Sequence, residues 1–271
     1  YPKDTNMNKL MYRVIFNSKK GQMVVVSEHN TAQGKSNAHS EGSATSTHCK
    51  NVSINKFNIL MLVLLSASLN VPLAQAATVV IPDTGALATQ RPTVINKPNI
   101  APTVNIVAPN VKGVSHNIYK QFDIDKQGVI LNNDIKQNTA LNNKAATVIL
   151  NQVNSNKASL LNGQITVAGS KASVIIANPS GLSVNGAAFV NADKVTLTTG
   201  IPILNAQKEW TGQLDVSKGN IDIQGAGLNT QNVRYTTLLS RAASIQKSAA
   251  VKADELTVIT GANTLDYDAG L

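Results

Sequence analysis

Residues able to do chemistry are few and scattered in this 271-residue chain. It has four histidines and one cysteine, and His29, His39 and His48 lie with Cys49 before residue 50. A nucleophile–histidine relay beyond residue 76 would have to use His116, whose neighbours Ser115 and Asn117 supply no orienting carboxylate. His116 therefore reads as a surface or turn residue. A zinc site needs several His or Cys ligands, which the same stretch lacks. Asp123-Ile124-Asp125-Lys126-Gln127-Gly128, with Asp134 in the twelfth place, imitates a calcium loop. Gln127 at the fifth position, the positive Lys126 and the β-prone flanks argue against it. Acid chemistry on sugars wants paired carboxylates on one face. The close pairs are Asp123/Asp125, Asp254/Glu255 and Asp266/Asp268, with Asp222 between Ile221 and Ile223, and all fit solvated faces or turns. Gln33-Gly34-Lys35-Ser36 has the ending of a phosphate loop, but the glycine required five residues earlier is His29. The expectation is no catalytic residue, no metal and no cofactor.

The elements that would position these groups are strands. Short β-prone runs recur after Val111, each bounded by Gly or Asn, among them Gly128–Asn133, Ala146–Asn151, Gln164–Gly169, Ala172–Asn178, Gly181–Gly186, Asp193–Gly200, Gly219–Gly225 and Glu255–Gly261. Most alternate apolar with small polar residues, the period of a strand. Such spacing suits a sandwich, a barrel or a solenoid. Aliphatic inward positions, 4% aromatic residues and corner Asn and Gly favour a parallel β-helix, in which stacked Asn amides bond along the axis. A β-sandwich satisfies the spacing too. From Ala77 to Asn110 the chain carries five of its nine prolines, which predicts an extended edge segment able to cap the first coil, together with the stretch around Phe122. No stop signal occurs near Gly270-Leu271, so further coils are expected beyond it.

The net charge of +9 has to be located before it is read. Residues 1–76 hold eight Lys+Arg against three Asp+Glu, so more than half of the surplus sits there. Lys50 and Lys56 precede an apolar run, Phe57 to Leu69, and Pro72-Leu73-Ala74-Gln75-Ala76 follows. That is the layout of a secretory signal peptide, with cleavage after Ala76 and a mature start at Ala77. The run is shorter than the roughly 18 residues that span a bilayer. The mature lysines are spread singly, without the basic, aromatic-interleaved cluster that nucleic acid requires. No nucleic-acid partner is expected.

The segment from Met7 through Asn17 and Val24-Val25-Val26 to a Ser/Thr/His-rich spacer resembles the extended signal-peptide region of very large Gram-negative exoproteins of the autotransporter and two-partner secretion classes. Met7 then stands as initiator. A small amphipathic strand domain is the competing reading of that stretch. Farther on, Phe122-Asp123-Ile124, Gly128–Asn133, Ile149-Leu150-Asn151-Gln152-Val153, Ser159–Gly163, Val174–Leu182, Asn185-Gly186, Phe189-Val190-Asn191-Ala192 and Leu197-Thr198-Thr199-Gly200 are similar, run by run, to the secretion domain of two-partner exoproteins, the filamentous-haemagglutinin family. Its central turn is usually Asn-Pro-Asn-Gly, whereas this chain has Asn178-Pro179-Ser180-Gly181-Leu182; serine can still bond the backbone within a turn.

The resemblance implies an all-β, right-handed parallel β-helix with an N-terminal cap. It implies domains at 1–76 (leader), 77–110 (proline-bearing cap) and 111–271 (two-partner secretion β-helix). The implied function is a secretion and folding-nucleation module of a surface exoprotein, an adhesin, haemagglutinin or contact-dependent toxin carrier. The implied route is the Sec translocon, then a cognate POTRA-bearing outer-membrane β-barrel transporter, then the cell surface or extracellular space, where sequence beyond Leu271 would meet host or neighbouring cells. Asn178 to Leu182 would form the transporter-recognition turn, with Asn151, Asn185, Gly186, Asn191 and Gly200 as further motif positions. A mature chain without cysteine suits this route, since no disulfide can lock it before export. A freestanding carbohydrate-binding β-helix or polysaccharide lyase, and a classical autotransporter passenger, are the competing functions.

Overall fold

The computed structural model describes residues 12–17, 22–27 and 77–267. The hairpin β1 (Tyr12–Asn17) and β2 (Gln22–Ser27) is antiparallel. The Pro-bearing segment supplies β3 (Val79–Pro82), a 3-10 turn over Ala88–Gln90, β4 (Thr93–Lys97) and β5 (Ile100–Asn105). The first coil then has β6 (Val114–Asp123) and β7 (Val129–Asn133). Three-strand coils repeat after it: β8 (Val148–Val153), β9 (Ser159–Leu161) and β10 (Gln164–Gly169), then β11 (Ala172–Ala177), β12 (Leu182–Val184) and β13 (Ala187–Val190). The next coil starts with β14 (Ala192–Thr198), leaves the helix as a hairpin of β15 (Ile201–Leu204) and β16 (Trp210–Val216), and resumes with β17 (Asn220–Ile223) and β18 (Leu228–Thr230). It continues through β19 (Tyr235–Ser240), β20 (Ala242–Gln246), β21 (Val251–Ala253), β22 (Leu256–Thr260) and β23 (Asn263–Asp266).

Every third coil strand falls in the same sheet and pairs in parallel with its counterpart one coil away, as in β8–β11–β14–β19–β22. The chain is therefore a parallel β-helix with three faces, as its corner residues and aliphatic runs predict. The interior is built from columns in register. Leu182, Ile221 and Ala243 stack on one face, as do Val129, Ile165 and Phe189 on another. Burial of a Leu or Ile contributes about 1.5–3 kcal/mol, and each is shared with the coils above and below. Asparagine also stacks as expected, for Asn132 Nδ2 donates to Asn105 Oδ1 at 2.8 Å.

The first coil is closed by strands that run against the others. β3 pairs antiparallel with β6, and β4 antiparallel with β5, while β5 pairs in parallel with β7. Tyr119 and Phe122, both fully buried with ring centroids 4.9 Å apart, fill the core beneath this cap. β2 pairs antiparallel with β20 at the far side of one sheet.

One layer lies outside the solenoid. β15, β16 and β23 form an antiparallel sheet whose Trp210, Leu214, Val216 and Tyr267 cover the outer faces of Leu150, Ile175, Ala177 and Leu239. That explains why β11 reads Ala-Ser-Val-Ile-Ile-Ala without alternation: it is buried on both sides.

Candidate functional site

The turn Asn178-Pro179-Ser180-Gly181 joins β11 to β12 at one corner of the solenoid. Asn178 is fully buried. Its Oδ1 accepts from the Ser180 amide at 2.9 Å, an Asx turn, and its carbonyl accepts from the Gly181 amide at 2.9 Å. Its Nδ2 donates to Lys157 O and Ser159 Oγ, each at 3.0 Å, so the amide ties the corner to the same corner of the preceding coil. Ser180 Oγ donates to Ser155 O at 2.5 Å. Gly181 has φ of 114°, and a Cβ there would stand 2.9 Å from Asn220 O on the following coil. Leu182 points into the core, leaving Pro179 and Ser180 half-exposed as the faces of the motif that solvent can reach.

The other motif positions lie elsewhere along the coils, and the structure does not gather them into one patch. Asn151 sits inside β8, its Oδ1 accepting from Tyr119 Oη at 3.0 Å and its Nδ2 donating to Ile175 O at 3.2 Å. Asn185 and Gly186 turn between β12 and β13, bonded to Ala226 N and Gly227 O of the following coil. Asn191, with φ of 57°, donates to Val167 O and Gly169 O. Gly200 leads from β14 into the hairpin, its amide donating to Thr198 Oγ1 at 2.8 Å. Ala77 begins the main described stretch; Ala74, Ala76 and the apolar run before them lie outside the described residues. Ser155 and Lys157 complete the turn but carry no sequence signal, because their partners are more than twenty residues away, and Ser159, part of a motif run, gives no sign in the sequence of its bond to Asn178.

His116 is neither a surface nor a turn residue. It lies within β6, 7% exposed, with Nδ1 3.0 Å from Gln90 Nε2 and Nε2 2.9 Å from Gln152 Oε1. Burial lowers its pKa from the ordinary value, the bond to Gln152 acting in the opposite sense. No carboxylate orients it, so it lacks the third member of a relay.

The carboxylates of the calcium-like pattern are consumed locally. Asp123 accepts from Gln121 Nε2 and the Leu160 amide, Asp125 from the Gln127 amide and Thr78, and Asp134 from the Lys136 amide. They end different strands, since Asp123 closes β6 and Asp134 follows β7. Bonding of this kind serves the stacking of one coil on the next.

Comparison with known proteins bears on that. The family model described as the TPS secretion domain matches residues 78–271, the whole of the coiled region. The chain belongs to the TPS secretion domain family. Residues 7–52 match the extended signal peptide of the type V secretion system. The chain is 40% identical over 273 residues to toxin CdiA of Yersinia pestis and 37% identical over 274 residues to tRNA nuclease CdiA-2 of Burkholderia pseudomallei, covering 96% and 97% of this chain and 8% of each relative. It is 32% identical over 279 residues to the filamentous hemagglutinin of Bordetella pertussis, covering 96% of this chain and 7% of that protein. The crystal structure of a filamentous hemagglutinin secretion domain superposes with a TM-score of 0.58 at 32% identity, over 70% of this chain and 65% of that one. The chain thus spans less than a tenth of the length of these relatives.

As a TPS secretion domain behind an extended type V signal peptide, the chain is exported through Sec and secreted to the cell surface or extracellular space. The matched region is a secretion module, and the nuclease activity in one relative's name belongs to that much longer protein.

Proposed function

We propose that this chain is the secretion and folding-nucleation module of a much larger surface exoprotein, and that a POTRA-bearing outer-membrane β-barrel recognises it as it leaves the periplasm. Residues 1–76 form a leader starting at Met7 and cut after Ala76; residues 77–110 cap the first coil; residues 111–271 are the β-helix proper. The module itself performs no catalysis, and an adhesive or toxic activity, such as the names of the relatives suggest, resides beyond Leu271. The Asn178-Pro179-Ser180-Gly181-Leu182 turn is the recognition element, read by the transporter while the chain is extended and closed into the corner once it folds.

The observation that carries this reading is the asymmetry of two of the solenoid's three sheets. Antiparallel β3 and β4 seal two sheet edges at the start of the helix, whereas β21 and β22 stand at the opposite edges in the parallel sense of the coils before them. Stacking interactions limited to nearest neighbours let folding spread from a sealed first coil in one direction, without a nucleotide. Deleting residues 77–205 from the full-length exoprotein is expected to trap the remainder in the periplasm. Undiminished surface display of the deleted protein, measured on intact cells with an antibody against the distal region, would overturn the proposal.

A further inference from the structure

His116 is the one histidine among the described residues, and it stands where three pieces of the molecule meet. Gln90 ends the 3-10 turn of the cap, His116 and Gln152 belong to β6 and β8, and Lys208 lies in the hairpin that leaves the solenoid. Gln90 Nε2 reaches both His116 Nδ1, at 3.0 Å, and Lys208 O, at 2.9 Å. His116 Nε2 meets Gln152 Oε1 at 2.9 Å, Gln152 Nε2 donates to Asn154 Oδ1 at 3.0 Å, and Asn154 Nδ2 donates to Asp83 Oδ2 at 3.1 Å. The result is an unbroken relay from the hairpin to the cap by way of the coil. Both of its cap members, Gln90 and Asp83, are buried.

The relay has a direction. A carboxylate only accepts, so Asp83 turns the Asn154 amide nitrogen toward itself and the Asn154 oxygen toward Gln152. Gln152 must then present its oxygen to the imidazole, which holds its hydrogen on Nε2 and leaves Nδ1 as an acceptor for Gln90. Gln90 cannot reverse, because its oxygen would then face Lys208 O. A second proton on the imidazole therefore has no acceptor: Nδ1–H would point at an NH2 group whose two hydrogens are already committed.

We propose that this relay is a proton-sensitive clasp: with neutral His116 it holds the cap and the hairpin to the first coil, and protonation of His116 releases them. Charged groups around it come from most of the packed elements, Lys144 among them, whose Nζ donates to Asn110 O beside the same cavity. The cap supplies Asp83 and Arg91, whose guanidinium donates to Thr84 O and Ala86 O; β6 supplies Lys120 farther along the same face; the hairpin supplies Lys208 and Glu209; β8 supplies none. Access is available through a cavity of about 610 Å3 lined in part by Leu87, Gln90, Pro109, His116 and Trp210. The sign follows from burial, which lowers the imidazole pKa from 6.5. An opened histidine takes its proton first as pH falls below about 6.5, so the closed state loses ground from there down to the pKa of the closed form, by about tenfold for each unit between them. This clasp is independent of which transporter or effector the exoprotein uses.

Trp210, the sole tryptophan of the chain, lines the same cavity and reports its opening. Fluorescence of the 271-residue chain, titrated from about pH 7.5 to pH 4.5, is expected to shift red in a transition that begins below about pH 6.5 and is absent in His116→Gln. A transition that persists unchanged in His116→Gln, or no transition in the wild type, overturns the clasp. Should His116→Gln fail to fold, nitrogen-15 NMR of the wild-type imidazoles decides. The clasp requires one ring with a depressed pKa in the Nε2–H tautomer, and four rings with ordinary pKa values, or that ring as Nδ1–H, overturn it.

Discussion

Asn178 of one corner donates from Nδ2 to Ser159 Oγ of the corner before it, at 3.0 Å and out of reach of solvent. With Lys157 O as its second acceptor and the Ser180 amide as its donor, this single amide satisfies three groups at once. The residue that closes the turn is thus also the residue that locks two coils together.

Asn178→Ala should therefore cost the folded domain about 2–4 kcal/mol, because it leaves the buried Ser159 hydroxyl, the Lys157 carbonyl and the Ser180 turn amide without partners. Pro179→Ala, at a half-exposed position, should cost under about 1 kcal/mol. The two variants separate roles: chemical denaturation reads the first effect, and secretion by cells carrying the transporter reads recognition. If Pro179→Ala secretes as well as the wild type, the turn is a structural corner and not a signal.

The hydroxyl of Tyr119 is buried completely, and burial raises its pKa far beyond the ordinary range, so it stays a donor to Asn151 at every pH the fold survives. Tyr119→Phe keeps the stacking on Phe122 but leaves Asn151 Oδ1 without that donor. A loss of about 1–3 kcal/mol is expected, with thermal melting as the measure. A neutral result would mean that Asn151 finds another donor by turning its amide, which its bond to Ile175 O opposes.

How much of this the residues disclose in advance depends on range. Strand runs, coil corners and the stacked asparagines are legible because period two and Gly or Asn punctuation are local properties. The outer sheet is not, since nothing near Trp210 or Leu214 indicates that they cover Leu150 and Ile175, which are distant in sequence. That outer layer also buries both faces of β11, where alternation alone would assign one face to water. His116 reads as exposed for the same reason: Gln90, Gln152 and Lys208, which enclose it, are distant in sequence. Family motifs locate Asn178 and Asn151 but say nothing of whether they face solvent, and both face inward.

Gly163 lacks a side chain for a reason of packing. A Cβ at this position would stand 1.7 Å from the carbonyl oxygen of Asp125 on the preceding coil, which is backbone and cannot swing aside. Gly163→Ala must push the coils apart at this corner, where Asn162 N donates to Ile124 O and Ile124 N donates to Leu160 O, both at 2.7 Å. The expected cost is about 3 kcal/mol or more, concentrated in the first two coils. Hydrogen exchange should show lost protection at Ile124 and Asn162 with β19 and β22 little changed, and uniform loss along the helix would contradict nearest-neighbour stacking.

Asp83 holds the cap from its other end. Burial raises its pKa, but the bonds from Asn154 and the Gly85 amide and the charges of Lys120 and Arg91 outweigh that and leave it below the ordinary 3.8. A depressed carboxyl pKa stabilises the fold above the unfolded value and loses that contribution as pH falls through the folded value, a window that opens below 3.8 where that of His116 opens below 6.5. Lys120 is mostly exposed, so the two hydrogen bonds and not the ion pair supply the effect. Asp83→Asn keeps a bond to one partner only, since an amide aimed at Asn154 would set nitrogen against nitrogen unless Asn154 turned away from Gln152. Near neutral pH the variant should be less stable by about 1–3 kcal/mol, and the difference should vanish as the pH is lowered below the folded pKa of the wild type. Melting curves at a series of pH values test both parts, and a difference that stays constant into acid would show that the carboxylate charge contributes nothing.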